Sequence, residues 1–223
     1  MNLLKKMPVQ YKGELHDVRL INFTVDMSEV FGKVPAAIKI RDFNGRAMIS
    51  MVDVKLRNMR PVRFPFIRFN YRHVAFRLLV EDKLYNHGEN KGIFFFRSFT
   101  DKPLIVTGGK LLTDYNLEVA NISEIDNKVI ISQGEKLVQY TLDESLAKPD
   151  EQLHNTIGAL DRAYSMSGDT IRVTQIQREK WPIQSVGCKD FENDFFRTAR
   201  FEGAFRVLET IYYDWLPPKA ISL

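Results

Sequence analysis

The stretch Asp42-Phe43-Asn44-Gly45-Arg46-Ala47-Met48-Ile49-Ser50-Met51-Val52-Asp53-Val54 decides the fold. Asn-Gly supplies two consecutive positive φ angles at little cost, which is what a tight hairpin turn requires. The run Ala47 to Val54 that follows is strand-like, and so is Ala37 to Arg41 before it, so the segment reads as a β-hairpin joined through Asp42 to Arg46. Upstream, residues 17 to 25 mix β-branched and apolar side chains as a half-buried strand does, and Asp26 or Ser28 can cap a short helical turn after it. Downstream, Pro61 and Pro65 disfavour regular structure, after which Asn70 to Glu81 and Gly92 to Phe99 resume as strands around the turn-rich Asn86 to Asn90.

Beyond these strands, Thr100 or Asp101 followed by Pro103 marks a helix start, and the helix is expected to run to about Leu112. Leu117 to Ile122, Lys128 to Ser132 and Glu135 to Leu142 read as further strands. Leu153, Ile157, Leu160 and Tyr164 recur at spacings of four, three and four residues, which predicts a helix from Pro149 onward with one apolar face. Ile171 to Gln177 and Ala204 to Tyr213 read as two late strands, with a Trp181-Pro182 break between them. The chain has 223 residues, 44% hydrophobic and 27% charged, enough to bury one sizeable core, and it shows no repeat or linker. The expectation is a single domain over residues 1–223 of β-rich α+β class, a curved or closed sheet with two or three helices packed on it.

Composition removes several function classes. No apolar run reaches the roughly 18 residues of a membrane span, and the first residues lack a secretory pattern, so a cytoplasmic protein without a membrane partner is expected. The four histidines are widely scattered and Cys188 is the only cysteine, so no metal, cofactor or disulfide framework is expected. Cys188 has no local histidine to activate it and reads as a structural thiol. Thr107-Gly108-Gly109-Lys110 lacks the pattern and the following hydroxyl of a nucleotide loop.

The net charge of +4 is unevenly spread. Seven basic residues and no acid lie between Asp53 and Glu81, and the other 25 basic residues are outnumbered by the 28 acidic ones. Phe64, Phe66, Phe69, Tyr71 and Phe76 interleave with these arginines, as in single-strand nucleic-acid platforms, but ordinary solvated arginines on a sheet are the commoner source of such a pattern. Arg72 stands apart, because strand alternation puts it on the face of Val74, Phe76, Leu78 and Val80. An unpaired buried guanidinium costs several kcal/mol, so it must meet either a protein carboxylate, with Glu118 and Asp114 as candidates, or a bound anion.

Several motifs in order resemble a bacterial family of unknown function in the acetoacetate decarboxylase-like superfamily. They are Phe31-Gly32-Lys33-Val34-Pro35, Phe43-Asn44-Gly45-Arg46-Ala47, Asn70-Tyr71-Arg72, Gly92-Ile93-Phe94-Phe95-Phe96 and Lys180-Trp181-Pro182-Ile183, within about residues 17 to 215. The resemblance implies an antiparallel cone-like or barrel-like sheet around a central cavity. It also implies a test of chemistry: true acetoacetate decarboxylases use a lysine as Schiff-base nucleophile beside a second lysine that lowers its pKa. The family pattern falls on Gly108-Gly109-Lys110-Leu111 and Asn116-Leu117-Glu118, which puts Leu117 and Glu118 where the two lysines stand, and Lys110 at the arginine position.

The leading expectation is therefore a protein that binds a small anionic organic ligand in a central cavity without Schiff-base decarboxylation, through Arg72, Lys110, Tyr115 and Glu118. Catalytic residues are not assigned. One alternative is an enzyme acting on keto or enol acids, with Glu118 as acid or base and Arg72 as carboxylate clamp. Another is docking of a partner protein or nucleic acid through residues 55–68, with nucleic acid ranked low and a homo-oligomer left open.

Overall fold

The computed structural model describes residues 10–82, 91–112, 117–167, 170–178 and 181–221. In chain order the elements are β1 (Tyr11–Asp26), α1 (Met27–Val30), β2 (Ile38–Ile40), β3 (Asp42–Phe43), β4 (Arg46–Pro61), β5 (Phe69–Asp82), β6 (Lys91–Thr100) and α2 (Pro103–Leu112). There follow β7 (Leu117–Val119), β8 (Asn121–Ile125), β9 (Lys128–Gln133), β10 (Lys136–Asp143), a 3₁₀ turn at Glu144–Leu146, and α3 (Glu151–Gly158). The chain closes with β11 (Arg162–Ser167), β12 (Thr170–Arg178), β13 (Gln184–Asn193), β14 (Arg200–Val207), β15 (Ile211–Trp215) and β16 (Lys219–Ile221).

The order β4-β5-β6-β11-β12-β15-β1 returns to β4, because β1 pairs β4 along its whole length, and this closes a seven-stranded mixed barrel. Every pairing in it is antiparallel except β6 with β11, where the chain re-enters the barrel in the parallel sense. What lies between β6 and β11 includes β8, β9 and β10, which with β13 form an outer sheet. β13 pairs β14 and β14 pairs β1, so the outer sheet grows directly from the barrel wall.

The long strands are buried on both faces, and alternation divides their side chains between two cores. Phe23, Ile49, Met51, Val74, Phe76 and Phe99 face outward into a core shared with Val129, Ile131, Val138 and Tyr140 of the outer sheet. Phe76 anchors it, with the rings of Phe195 and Phe196 each 5.4 Å away. Leu20, Val52, Val54, Leu56, Ala75, Leu79 and Ile93 face the other way, into the barrel.

The Asn44-Gly45 turn has both φ angles positive, 54° and 80°, and joins β3 to β4. Its first arm is only Asp42–Phe43; the Ala37 to Arg41 run is instead β2, which pairs β5. The helix expected to carry Tyr164 stops at Gly158, and Tyr164 is a strand residue of β11. Asp150 caps α3, its carboxylate accepting from the Leu153 amide at 2.8 Å, and Leu153 and Ile157 form the buried face. The run Ala204 to Tyr213 is two strands, β14 and β15, broken at residues 208–210. The turn expected around Asn86 to Asn90 lies outside the described residues.

Candidate functional site

Two polar features break the apolar packing, and they lie on opposite faces of β5. The first surrounds Arg72, which shares its face with Val74, Phe76, Leu78 and Val80, the face turned toward the outer sheet. Its side chain is 12% exposed and meets carboxylates on two sides. Nε and Nη2 donate to the two oxygens of Asp53 at 2.8 and 2.5 Å, and Nη1 donates to Glu124 at 3.2 Å. The Tyr140 hydroxyl donates to the same Asp53 oxygen at 2.5 Å. Glu124 reaches with its other oxygen to Arg19, which also holds Asp17. Lys55 and Arg206 add donors to Asp17.

This network links β1, β4 and β5 of the barrel to β8 and β10 of the outer sheet. Burial works against the charge of Asp17, yet hydrogen bonds from Arg19 and Lys55 hold its carboxyl well below the usual range. The same opposition, won by Arg19 and then by Arg72 and Lys55, keeps Glu124 low. Burial, reinforced by the Asp53 charge, pushes the Tyr140 phenol upward, so it remains a donor.

The second feature is the barrel lumen. It encloses a half-open hollow of about 80 Å³ to which all seven barrel strands contribute. Its walls are Leu15 and Val18 of β1, Val52, Val54 and Leu56 of β4, Ile93 and Phe95 of β6, and Ile176 of β12. Trp181, Tyr213 and Trp215 add aromatic surface, and the polar groups are His73 and Arg77 of β5 with Arg162 of β11. No Asp or Glu is among the described residues that line it. Arg77 is buried, donates from Nε to the Ser50 carbonyl at 3.1 Å and from Nη2 to the Ser50 hydroxyl at 2.8 Å, and lies 5.9 Å from the Trp181 ring centre. Burial first, and the Arg77 charge second, push His73 down to about 4, so its ring is neutral at pH 7.

Of the residues singled out from sequence, Arg72 and Glu118 are described in full, and each has its own partners. Arg72 does meet protein carboxylates: among the described residues they are Asp53 and Glu124, and Glu118 is not one of them. Glu118, on β7, pairs with Arg97 at 2.9 Å and accepts from Gln133 at 2.7 Å. Leu117, which takes the place of a family lysine, is a buried apolar residue. Tyr115 and Asp114 lie outside the described residues, as does the side chain of Lys110, whose backbone belongs to α2. Asp53 was legible in principle, since it alternates with Ile49 and Met51 as an acid on an apolar face. Glu124 and Tyr140 carried no such signal, because the outer sheet meets the barrel only in three dimensions. Cys188 is pushed up to about 11, chiefly by burial, which agrees with an unreactive thiol.

This closed mixed barrel backed by an outer sheet matches solved structures of acetoacetate decarboxylase-like proteins. The chain is similar to an acetoacetate decarboxylase-like enzyme from Sphingomonas wittichii RW1, with TM-score 0.66 and 11% identity over 97% of this chain and 94% of that one. It is similar to acetoacetate decarboxylase from Legionella pneumophila, with TM-score 0.62 and 9% identity over 97% and 90% of the two chains. It is also similar to the enduracididine biosynthesis enzyme MppR complexed with pyruvate, with TM-score 0.56 and 11% identity over 99% and 92%. Residues 12–214 match the family of uncharacterized conserved proteins named DUF2071, and the chain belongs to that family. No curated protein matches the sequence. Among the described residues, no helix is long and apolar enough to cross a membrane, and no group of acidic, histidine and cysteine side chains could hold a metal ion.

Proposed function

We propose that the protein binds a short organic acid in the barrel lumen and does so without Schiff-base chemistry. The observation that carries this reading is an apolar hollow into whose lining Arg77 and Arg162 are built, Arg162 also pairing at 2.9 Å with Asp161, which is not among the lining residues. In such surroundings a guanidinium attracts an anion far more strongly than in water. The anion partner in this reading is Arg77, which lines the hollow, whereas Arg72 lies on the face turned toward the outer sheet.

Size limits the ligand. A sealed cavity of about 150 Å³ accepts benzene, so about 80 Å³ encloses roughly three or four non-hydrogen atoms. Acetate, with four non-hydrogen atoms, fits, and propionate or a somewhat longer acid extends through the open side. At no more than about 1.5 kcal/mol per atom, and usually much less, such ligands bind in roughly the millimolar range. The pyruvate in MppR is a short organic acid, somewhat larger than the enclosed space here, in a chain of similar fold, which supports the reading by analogy. The reading also follows from Leu117 and Glu118, neither of which can form an imine.

Saturation-transfer NMR with acetate, propionate and butyrate, set against the matching amides, tests it. The acids are expected to give saturable signals and the amides none. Acetoacetate followed by borohydride is expected to leave the protein mass unchanged. Equal signals from acids and amides, or a stable borohydride adduct, would contradict the proposal.

A further inference from the structure

The basic segment holds one feature that neither the lumen nor the Arg72 network uses. The loop between β4 and β5, residues 62–68, is exposed throughout. Phe66 is 78% exposed, Phe64 48%, Ile67 46% and Val62 41%. The loop is folded all the same: the amides of Phe64 and Ile67 donate to the carbonyls of Pro61 and Phe64 at 3.0 Å, and Val62 donates to Gln10 at 2.9 Å. Phe64 and Phe66 pack edge to face, 6.2 Å between centres. Arg63 and Arg68 lie in this loop and Arg57 and Arg60 in the part of β4 that leads into it, and none of the four has an ion-pair partner among the described residues; Arg60 and Arg68 donate to the carbonyls of Asn58 and Pro65. The nearby carboxylate of Glu14 is engaged by His16 and Asn58.

We propose that this tip docks on the surface of an anionic lipid bilayer, with Val62, Phe64, Phe66 and Ile67 entering the headgroup boundary and the arginines facing lipid phosphates and carboxylates. An exposed apolar loop with arginines in it and in the strand leading to it is suited to a deformable interface, which takes up apolar side chains to a depth of about 5–10 Å. Charge complementarity selects an anionic surface, and two copies of the same arginine-rich tip repel each other. A single nucleic-acid strand fits less well, because rings inclined at 80° offer no parallel ladder for bases and Val62 and Ile67 have no face to stack on. Docking at the interface departs from the expectation of no membrane partner and needs no spanning segment.

Flotation of the full chain with vesicles of phosphatidylcholine and phosphatidylserine tests the proposal. Partition is expected with the mixed vesicles, to fall as salt rises, and to be negligible with phosphatidylcholine alone. Arg63→Gln and Arg68→Gln should each lower it about five-fold. Phe64→Ser combined with Phe66→Ser should lower it about ten-fold or more without changing the thermal melt, since both rings are exposed. Tryptophan emission from Phe66→Trp should move to the blue on mixed vesicles. Three outcomes overturn the proposal: no partition at low salt, partition indifferent to the two phenylalanines, or tighter binding to oligothymidylate that the same phenylalanine substitutions abolish.

Discussion

Asp53 is 2% exposed and satisfies Arg72 and Tyr140 together, so its charge cannot be removed quietly. Asp53→Asn leaves a largely buried guanidinium short of a counter-charge, a change that costs about 3–5 kcal/mol and is read as a lower urea midpoint. Tyr140→Phe removes one donor only and should cost about 1–2 kcal/mol. If Asp53→Asn unfolds no more readily than a surface control, the network does not secure Arg72. On the other face, His73 falls from an ordinary value near 6.5 to about 4 because it is buried beside Arg77. The unfolded chain then takes up its proton first, so the stability that the neutral ring preserves is complete above about pH 6.5 and declines as pH falls toward 4. Ring resonances of His73 should show no protonation until pH nears 4, and titration near 6.5 would place that ring in water.

Between strands, the narrowest contact in the barrel is the parallel junction of β6 and β11, with only Ile93↔Ala163 and Phe94↔Tyr164 in register. Gly92 permits it: a β-carbon there would come within 2.8 Å of the Arg162 carbonyl oxygen and 3.0 Å of the Tyr164 ring. Gly92→Ala is therefore expected to destabilise by about 1–3 kcal/mol and to raise hydrogen exchange in Arg162–Ser167 ahead of β1 and β4. Unchanged protection in β11 would contradict this. The outer sheet depends in a similar way on Glu124, which joins β8 to Arg19 and Arg72; Glu124→Gln should increase exchange in Asn121–Ile125 while the barrel stays protected. Elements whose signals are local were legible, notably the Asn44-Gly45 turn and the start of α2 at Pro103. Those settled by distant partners were not. The Ala37 to Arg41 run carries nothing that says its partner is β5, and the apolar stripe that defines α3 continues through Leu160 to Tyr164 only because β11 resumes in phase with it.

For the molecule as a whole, the decisive fact is which apolar face becomes the inside. Residues 74–80 are all buried, so alternation correctly sets Arg72 against His73 and Arg77 but cannot say which set meets the lumen. Closure of β1 onto β4 decides that, and it turns Arg77 inward and Arg72 toward the outer sheet. The hollow exists because the bulky side chains from seven strands do not quite meet, and filling it should be informative. Val54→Phe is expected to cost about 1–3 kcal/mol and to abolish binding of short acids with the barrel intact.

Methyl NMR during a propionate titration separates the two faces most directly. Saturable shifts at Val52, Val54, Ile93 and Ile176, with propionamide silent, are expected if the acid enters the lumen beside Arg77. Shifts centred on Val74, Ile131 and Val138 in the outer core, with the lumen methyls unmoved, would show that the anion goes to the other face and that the lumen is not the binding site.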